Sequence, residues 1–216
     1  MKLHFSSLAT RLVAAALLGG ALAGCAPLII GGAAIGTAMM ATDRRTSGAQ
    51  IDDEAIELRS VQRLREALGD RSHFNVTSYN RQMLLTGEVP SEAARQLAEQ
   101  VVGRVDNVRG IVNELAVMPA TSLTQRSSDT LVTGQIRASY VDAADLQSNA
   151  FKVVTERGTV YLMGRVTQRE ADRGTQIARQ VSGVSKVVRM FEILTPEDMR
   201  QLGLAPAAAA PAAAAA

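Results

Sequence analysis

Apolar and polar positions follow one another along the chain in a pattern that predicts two copies of one αββαβ unit. From residue 52 to residue 117, apolar residues recur at helical spacing, alternate with polar ones in two short runs, return to helical spacing and end in a third alternating run. Asp52 and Asp53 are good N-cap residues, so we expect the first helix to begin there. Its predicted apolar face carries Leu58, Val61, Leu64 and Leu68.

The same order of elements is predicted between residues 129 and 194. A helix is expected to begin at Asp129 and to bury a stripe of residues spaced four apart, Val132, Ile136 and Tyr140. Two strands joined by a tight turn follow. Thr167 and Glu170 have the T-x-x-E spacing of a capping box, which predicts the start of the second helix. A final alternating run completes the unit.

The two copies align at a nearly constant offset, which indicates a duplicated unit. Six residues recur 77 positions later: Phe74, Val76, Leu85, Gly87, Val89 and Ala94. Before the first strand, Leu64 pairs with Ile136 at an offset of 72, which predicts a longer loop between helix and strand in the second copy. Gly87 and its counterpart Gly164 are predicted to be structural, at the end of a central strand that a helix crosses closely.

The first 25 residues have the pattern of a secretory leader. Lys2 and Arg11 precede a short apolar run, residues 12–23, and Leu22–Cys25 resembles the bacterial lipobox. We expect the leader to be removed and Cys25 to carry covalent diacylglycerol and an N-acyl chain such as palmitate, with no other cofactor. The alternative is an ordinary leader followed by an incidental Cys.

Each unit is predicted to be a three-stranded sheet whose one apolar face is covered by two helices, which makes the fold class α+β. The predicted organisation is a signal peptide at 1–24, a lipidated tether at 25–49, a domain at 50–118, a linker at 119–127, a second domain at 128–195 and a disordered Ala/Pro-rich tail at 196–216.

Charge and side-chain chemistry argue against several function classes. Residues 52–117 hold eight Arg and eleven acidic residues, a net charge of −3, and residues 129–194 hold nine basic and seven acidic residues, a net charge of +2. Neither domain has the concentrated basic face of a nucleic-acid binder. Beyond the leader the only His is His73, predicted to be solvated in a polar loop, and the only Cys is Cys25. We therefore expect no enzyme and no metal site.

The repeated phrase around Gly87 and Gly164, together with the endings "VDNVRGIV" and "VSGVSKVV", resembles the BON domain. Two such domains behind a lipobox resemble the division- and outer-membrane-stress-associated lipid-binding lipoproteins. The resemblance implies a non-enzymatic lipoprotein in the outer membrane, facing the periplasm and enriched at division sites. It would bind anionic phospholipid such as phosphatidylglycerol through its second BON domain, and it would support envelope integrity under stress.

The resemblance also implies that the first helix of the second domain meets the lipid. On the helix that begins at Asp129, the residues that lie off the buried stripe are the candidates for lipid contact: Thr130, Leu131, Gly134, Gln135, Arg137 and Ala138. Arg137 and Lys152 are the candidate phosphate contacts, and ordinary surface charge is the alternative interpretation of both.

Two other functions remain open from the sequence. The paired domains could form a protein–protein adaptor that docks on outer-membrane assembly or division proteins and has no lipid site. A periplasmic filler or chaperone induced by osmotic stress is the third reading, and it would keep its function without Cys25.

Overall fold

The computed structural model describes residues 43–69 and 72–204. The first domain contains α1, β1, β2, α2 and β3, with bounds Ser47–Leu68, His73–Tyr79, Gln82–Val89, Glu92–Val102 and Gly110–Val117. The second contains α3, β4, β5, α4 and β6, with bounds Leu123–Asp142, Phe151–Glu156, Thr159–Val166, Gln168–Gln180 and Lys186–Ile193. A short helix, α5 (Pro196–Gln201), follows. The predicted α+β class and the αββαβ repeat are confirmed.

Parts of the predicted organisation fall on residues that the structure does not describe. The signal peptide 1–24, Cys25, the tether as far as residue 42 and the tail from residue 205 all lie outside the described residues. Within the predicted tail 196–216, α5 is helical because Thr195 and Asp198 form a capping box and Pro196 lies in the first turn.

The two sheets have the same topology. In the first domain the strand order is β1-β2-β3, with β1 antiparallel and β3 parallel to the central β2. The second domain has the order β4-β5-β6 with the same directions. Tight turns at residues 80–81 and 157–158 close the two hairpins, and Asn80, Arg81 and Arg157 adopt positive φ.

Each central strand is buried on both faces, whereas the sequence predicted one apolar face. Met83 and Leu85 of β2 face the helices of the first domain, and Leu84 faces the other way. From Arg44 onward the chain is one compact unit, in which Leu84 and Tyr79 pack with Tyr161, Met163 and Met190 of the second domain. The two sheets are therefore stacked on each other, with the helices on the outside.

The first helix of each domain begins earlier than predicted. Thr46 caps α1 by accepting a hydrogen bond from Ala49 N–H, and Ser122 caps α3 by accepting one from Gln125 N–H. The starts predicted at Asp52 and Asp129 are wrong, because the opening turns are polar and lack an apolar period. Residues 47–49 of the predicted tether and 123–127 of the predicted linker are helical.

Asp53 and Asp129 are not caps but buried acceptors in the middle of their helices. Asp53 accepts hydrogen bonds from the backbone N–H groups of Asn80 and Arg81, both at 2.7 Å. Asp129 accepts from Arg157 N–H at 2.8 Å and Gly158 N–H at 2.9 Å. Each carboxylate therefore holds the hairpin turn of its own domain.

This equivalence corrects the register of the repeat. Asp53 and Asp129 are 76 residues apart, so Leu64 corresponds to Tyr140 and not to Ile136. The predicted offset of 72 is wrong by four residues, about one helical turn. The connection between helix and strand is longer in the second copy, residues 143–150 against 69–72, and half of the difference arises because α3 ends two residues earlier than α1 at this offset.

Gly87 and Gly164 lie in the central strands as predicted, but for a different reason. A Cβ on Gly87 would overlap the His73 carbonyl oxygen, and a Cβ on Gly164 would overlap the Ala150 carbonyl oxygen. The close neighbour is thus the backbone at the start of the adjacent antiparallel strand, and not a crossing helix.

Candidate functional site

The six predicted lipid contacts all lie on the outward face of α3. Thr130, Leu131, Gly134, Gln135, Arg137 and Ala138 are exposed. The opposite face carries Val132, Ile136 and Tyr140, which are buried in the core of the second domain, as predicted. Leu131 keeps 68% of its surface exposed. Because a helix turns about 100° per residue, the buried stripe fixes which residues point outward.

The outward face of α3 contains a continuous uncharged stripe that is longer than the predicted set. We call it the α3 stripe; its members are exposed and recur every three or four residues: Leu123, Ser127, Leu131, Gly134, Ala138 and Val141. At 1.5 Å per residue the stripe is about 27 Å long. The predicted set did not include Leu123, because it lies before the predicted helix start at Asp129. It did not include Val141, which lies ten residues beyond Leu131.

Charged groups on α3 are few and lie beside the stripe. Arg137 is exposed, and its Nη2 lies 3.4 Å from the Val153 carbonyl oxygen. Thr130 donates its hydroxyl hydrogen bond to the Arg126 carbonyl oxygen at 2.9 Å. The α3 stripe is therefore an uncharged, largely apolar band with exposed Arg137 at its edge and exposed Asp142 at its end, an arrangement suited to an interface between apolar and polar groups.

Lys152 does not belong to this surface. Its ammonium lies 2.8 Å from Glu57 Oε1 and 3.0 Å from the Ser78 carbonyl oxygen, both in the first domain. The prediction that Lys152 contacts lipid phosphate is wrong, because the side chain is held in a contact between domains. Its partner Glu57 lies 95 residues earlier, so sequence spacing gave no sign of it.

The first domain presents a different outer surface on α1. Ile51 and Leu58 are 67% and 73% exposed, so the prediction that Leu58 faces the core is wrong. Acidic residues outnumber basic ones on α1, with five Asp and Glu against three Arg. Although the two domains share a fold, only the second has a long uncharged stripe on its first helix.

Buried ion pairs hold the second domain, and with it α3, against the first. Glu88 of β2 accepts hydrogen bonds from Arg157 and from Thr121 N–H. Burial acts to raise the pKa of Glu88, but Thr121 and Arg157 outweigh it and hold the pKa below its ordinary value. The carboxylate is therefore ionised at neutral pH.

A second buried pair joins the segment before α1 to the second domain. Both terminal nitrogens of Arg44 lie 2.8 Å from the carboxylate oxygens of Glu170, at the start of α4. Burial raises the pKa of Glu170, but the hydrogen bonds from Arg44 and Thr167 lower it further than burial raises it. The end of the predicted tether, at Arg44, is thus bound to the second domain before the chain enters α1.

His73 is not a solvated loop residue, as the sequence had suggested. It is the first residue of β1, and its Nδ1 lies 3.1 Å from Glu88 Oε2. Ligand atoms of His73, Glu88 and Glu156 all lie within 4.8 Å of one another. Spacing along the chain could not indicate this cluster, because its members come from distant parts of the sequence and from both domains; the expectation of no metal site stays a prediction.

No helix among the described residues is both long and apolar enough to cross a membrane.

The fold defines an α+β protein with two paired αββαβ domains. The BON domain family matches residues 52–119 and 128–195. The chain belongs to the BON domain family.

Curated relatives match most of the chain. The outer membrane lipoprotein DolP of Haemophilus influenzae is 36% identical over 175 residues, which covers 80% of this chain and 90% of the relative. A 21 kDa hemolysin of Actinobacillus pleuropneumoniae is 31% identical over 151 residues, covering 69% and 78%. The osmotically-inducible protein Y of Escherichia coli is 30% identical over 145 residues, covering 63% and 70%. These relatives support a BON-domain lipoprotein of the bacterial envelope.

Proposed function

We propose that this protein is a non-enzymatic outer-membrane lipoprotein that binds anionic phospholipid, such as phosphatidylglycerol, through the α3 stripe. The observation that carries the proposal is the stripe itself, which exposes Leu123, Leu131 and Val141 on one face of a well-packed helix. A soluble domain gains nothing from such a face in water, whereas an amphipathic helix can bury it at the boundary between headgroups and acyl chains.

The expected strength of this contact is modest. Full burial of a Leu or Val side chain contributes roughly 1.5–3 kcal/mol. A basic residue near an anionic surface, here Arg137, adds about 1 kcal/mol. Insertion would be partial, so the domain alone would bind weakly and reversibly.

Acylation of Cys25 would make a weak contact sufficient. Two or more acyl chains hold a protein stably on a bilayer, and the anchor then raises the local concentration of lipid around the second domain. The DolP relative is named as an outer membrane lipoprotein. The residue after the Cys is Ala26 and not the Asp that is associated with inner-membrane retention in lipoproteins of this kind. Both favour the outer membrane, with the domains facing the periplasm. The family resemblance adds a role in envelope integrity and enrichment at division sites.

The second candidate function is a protein–protein adaptor for outer-membrane assembly machinery. Exposed Ile51 and Leu58 favour it, because they present two apolar side chains, about two turns apart, on the acidic α1. An anionic leaflet would repel this helix, so its occupant would be a protein with apolar and basic groups.

Vesicle co-sedimentation separates the two functions. The mature chain with Cys25→Ser would be mixed with phosphatidylglycerol vesicles and with neutral phosphatidylcholine vesicles. We expect binding to the anionic vesicles, weakened about tenfold by Leu131→Glu, since the variant loses a partly buried apolar side chain and places a negative charge at the anionic surface.

Leu58→Glu is the matched control. It places the same charge on an equally exposed leucine of the equivalent helix in the first domain, and we expect it to leave vesicle binding unchanged. Equal binding to both kinds of vesicle, or equal loss in the two variants, would contradict lipid recognition by α3.

A further inference from the structure

We propose that His73, Glu88 and Glu156 bind a divalent transition metal, zinc by the chemistry of its ligands, and that the ion bridges the two domains. His73 begins β1 and Glu88 lies in β2 of the first domain, whereas Glu156 ends β4 of the second. The proposal is independent of lipid binding, because it concerns the contact between the sheets and not the α3 stripe.

One pair of the three side chains, His73 and Glu88, already has the ligand spacing of a metal site, and Glu156 lies beside it. The ligand atoms of all three lie within 4.8 Å of one another, and His73 Nδ1 is 3.1 Å from Glu88 Oε2. Two ligands on a tetrahedral zinc ion with bonds of about 2.0–2.1 Å are roughly 3.3 Å apart. Imidazole with carboxylates is a ligand set that suits zinc.

The charge balance of the cluster favours a cation. Glu88 and Glu156 are buried, and one guanidinium, that of Arg157, lies between them, at 3.9 Å from Glu156 Oε1. Two carboxylates and one guanidinium leave one negative charge in a buried place. Arg126 and Asp129 line the adjoining cavity from α3 and add one charge of each sign, so they do not alter the balance.

Arg157 and the ion would use different oxygens of Glu88. Arg157 binds Oε1 of Glu88, whereas His73 and Thr121 approach Oε2. A metal ion between His73 and Oε2 would displace two hydrogen bonds from Thr121, those of its N–H at 3.2 Å and its hydroxyl at 3.3 Å, and leave the arginine on Oε1.

Solvent can reach the cluster. His73 and Glu156 line a cavity of about 370 Å³, together with Asn75 and the inward side of α3. The cavity gives the ion an entry path and room for water as a fourth ligand, which zinc requires when three protein side chains bind it. A bound ion would stabilise the folded pair of domains, because the ligands come together only when both domains are folded.

The test uses the full mature chain with Cys25→Ser, which leaves no thiol to compete for zinc. Calorimetric titration with zinc chloride is expected to show one ion per chain. Zinc at about one hundred times its Kd should raise Tm by about 5–10 °C, and a chelator should reverse the rise. The magnesium ion prefers oxygen ligands in octahedral geometry, so magnesium chloride should leave Tm unchanged.

His73→Asn and Glu156→Gln should each weaken zinc binding about tenfold or more. Glu99→Gln is the matched control, since it removes one exposed carboxylate elsewhere in the first domain. An absence of heat and of any Tm shift in the parent chain would overturn the proposal, as would equal affinity in His73→Asn and the control.

A spectroscopic measurement covers the case in which a variant fails to fold. His73 is the only imidazole beyond the leader, so the parent chain gives one set of histidine ring resonances. Zinc should move these resonances until one equivalent has been added. Resonances that stay in place throughout the titration would overturn the proposal without the use of any variant.

Discussion

At the scale of single residues, glycines divide into those that the fold requires and those that it tolerates. Gly87 has φ of 118°, and a Cβ at Gly87 or at Gly164 would overlap a carbonyl oxygen of the neighbouring strand. Gly134 is different, because a Cβ there would meet nothing within 4 Å among the described residues. It is an exposed position in the middle of α3, where glycine lowers helix stability.

Gly164→Ala should therefore lower the free energy of unfolding by about 1–3 kcal/mol, because the strands must separate to admit the methyl group. Gly134→Ala should raise the same quantity by up to about 1 kcal/mol. Urea denaturation of the two variants measures both changes. A Gly164→Ala chain as stable as its parent would show that the strands part without cost.

Residue exposure on α3 could be predicted from the sequence, because the regular spacing of Val132, Ile136 and Tyr140 fixes the orientation of the helix. The contacts of Lys152 and His73 could not be predicted from the sequence. Their partners, Glu57 and Glu88, are set by contacts between strands and domains rather than by spacing along the chain. Side chains that pair across a tertiary interface leave no periodic signal.

At the scale of elements, the strands and tight turns were predicted well and the long helices less well. A helical stripe looks almost the same after a shift of four residues, which is about one turn, so pairing Leu64 with Ile136 was as good a match as the correct pairing with Tyr140. The buried carboxylates decide the register. Asp53 and Asp129 each bind the hairpin turn of their own domain.

The sequence did contain a sign that the central strands are buried on both faces. Residues 83–85 and 160–163 are apolar without interruption, which is typical of strands covered on two sides. The outer strands alternate between apolar and polar residues, which is typical of a sheet with one face in solvent. Each sheet was therefore predicted to have one solvent-facing side. A domain of this size has only a marginal core of its own. The stacked sheets add an apolar cluster between the two domains, in addition to the core of each.

At the scale of the whole molecule, the buried carboxylates make stability depend on pH. Glu88 and Glu170 have a pKa below the ordinary value of 4.5 in the folded chain, so their contribution is complete above that value and is lost as pH falls through the lowered pKa. We therefore expect the free energy of unfolding to fall steeply in acid.

Glu170→Gln should lower the free energy of unfolding at neutral pH by on the order of 3 kcal/mol, because it leaves the buried Arg44 without its charge partner. The variant should also lose part of its acid dependence. Glu197→Gln breaks an exposed pair with Arg200 and should cost less than about 1 kcal/mol. Urea denaturation at several pH values checks both, and an unchanged acid slope in Glu170→Gln would contradict the linkage.

The account as a whole depends on which helix meets the bilayer. The most direct measurement attaches a fluorophore at one of two positions, Leu131→Cys or Leu58→Cys, in the mature chain with Cys25→Ser, and adds phosphatidylglycerol vesicles that carry a nitroxide quencher below the headgroups. Both leucines are exposed in the free chain. We expect strong quenching at position 131 and little at position 58. Equal quenching at the two positions, or quenching at position 58 alone, would contradict the assignment of lipid binding to α3.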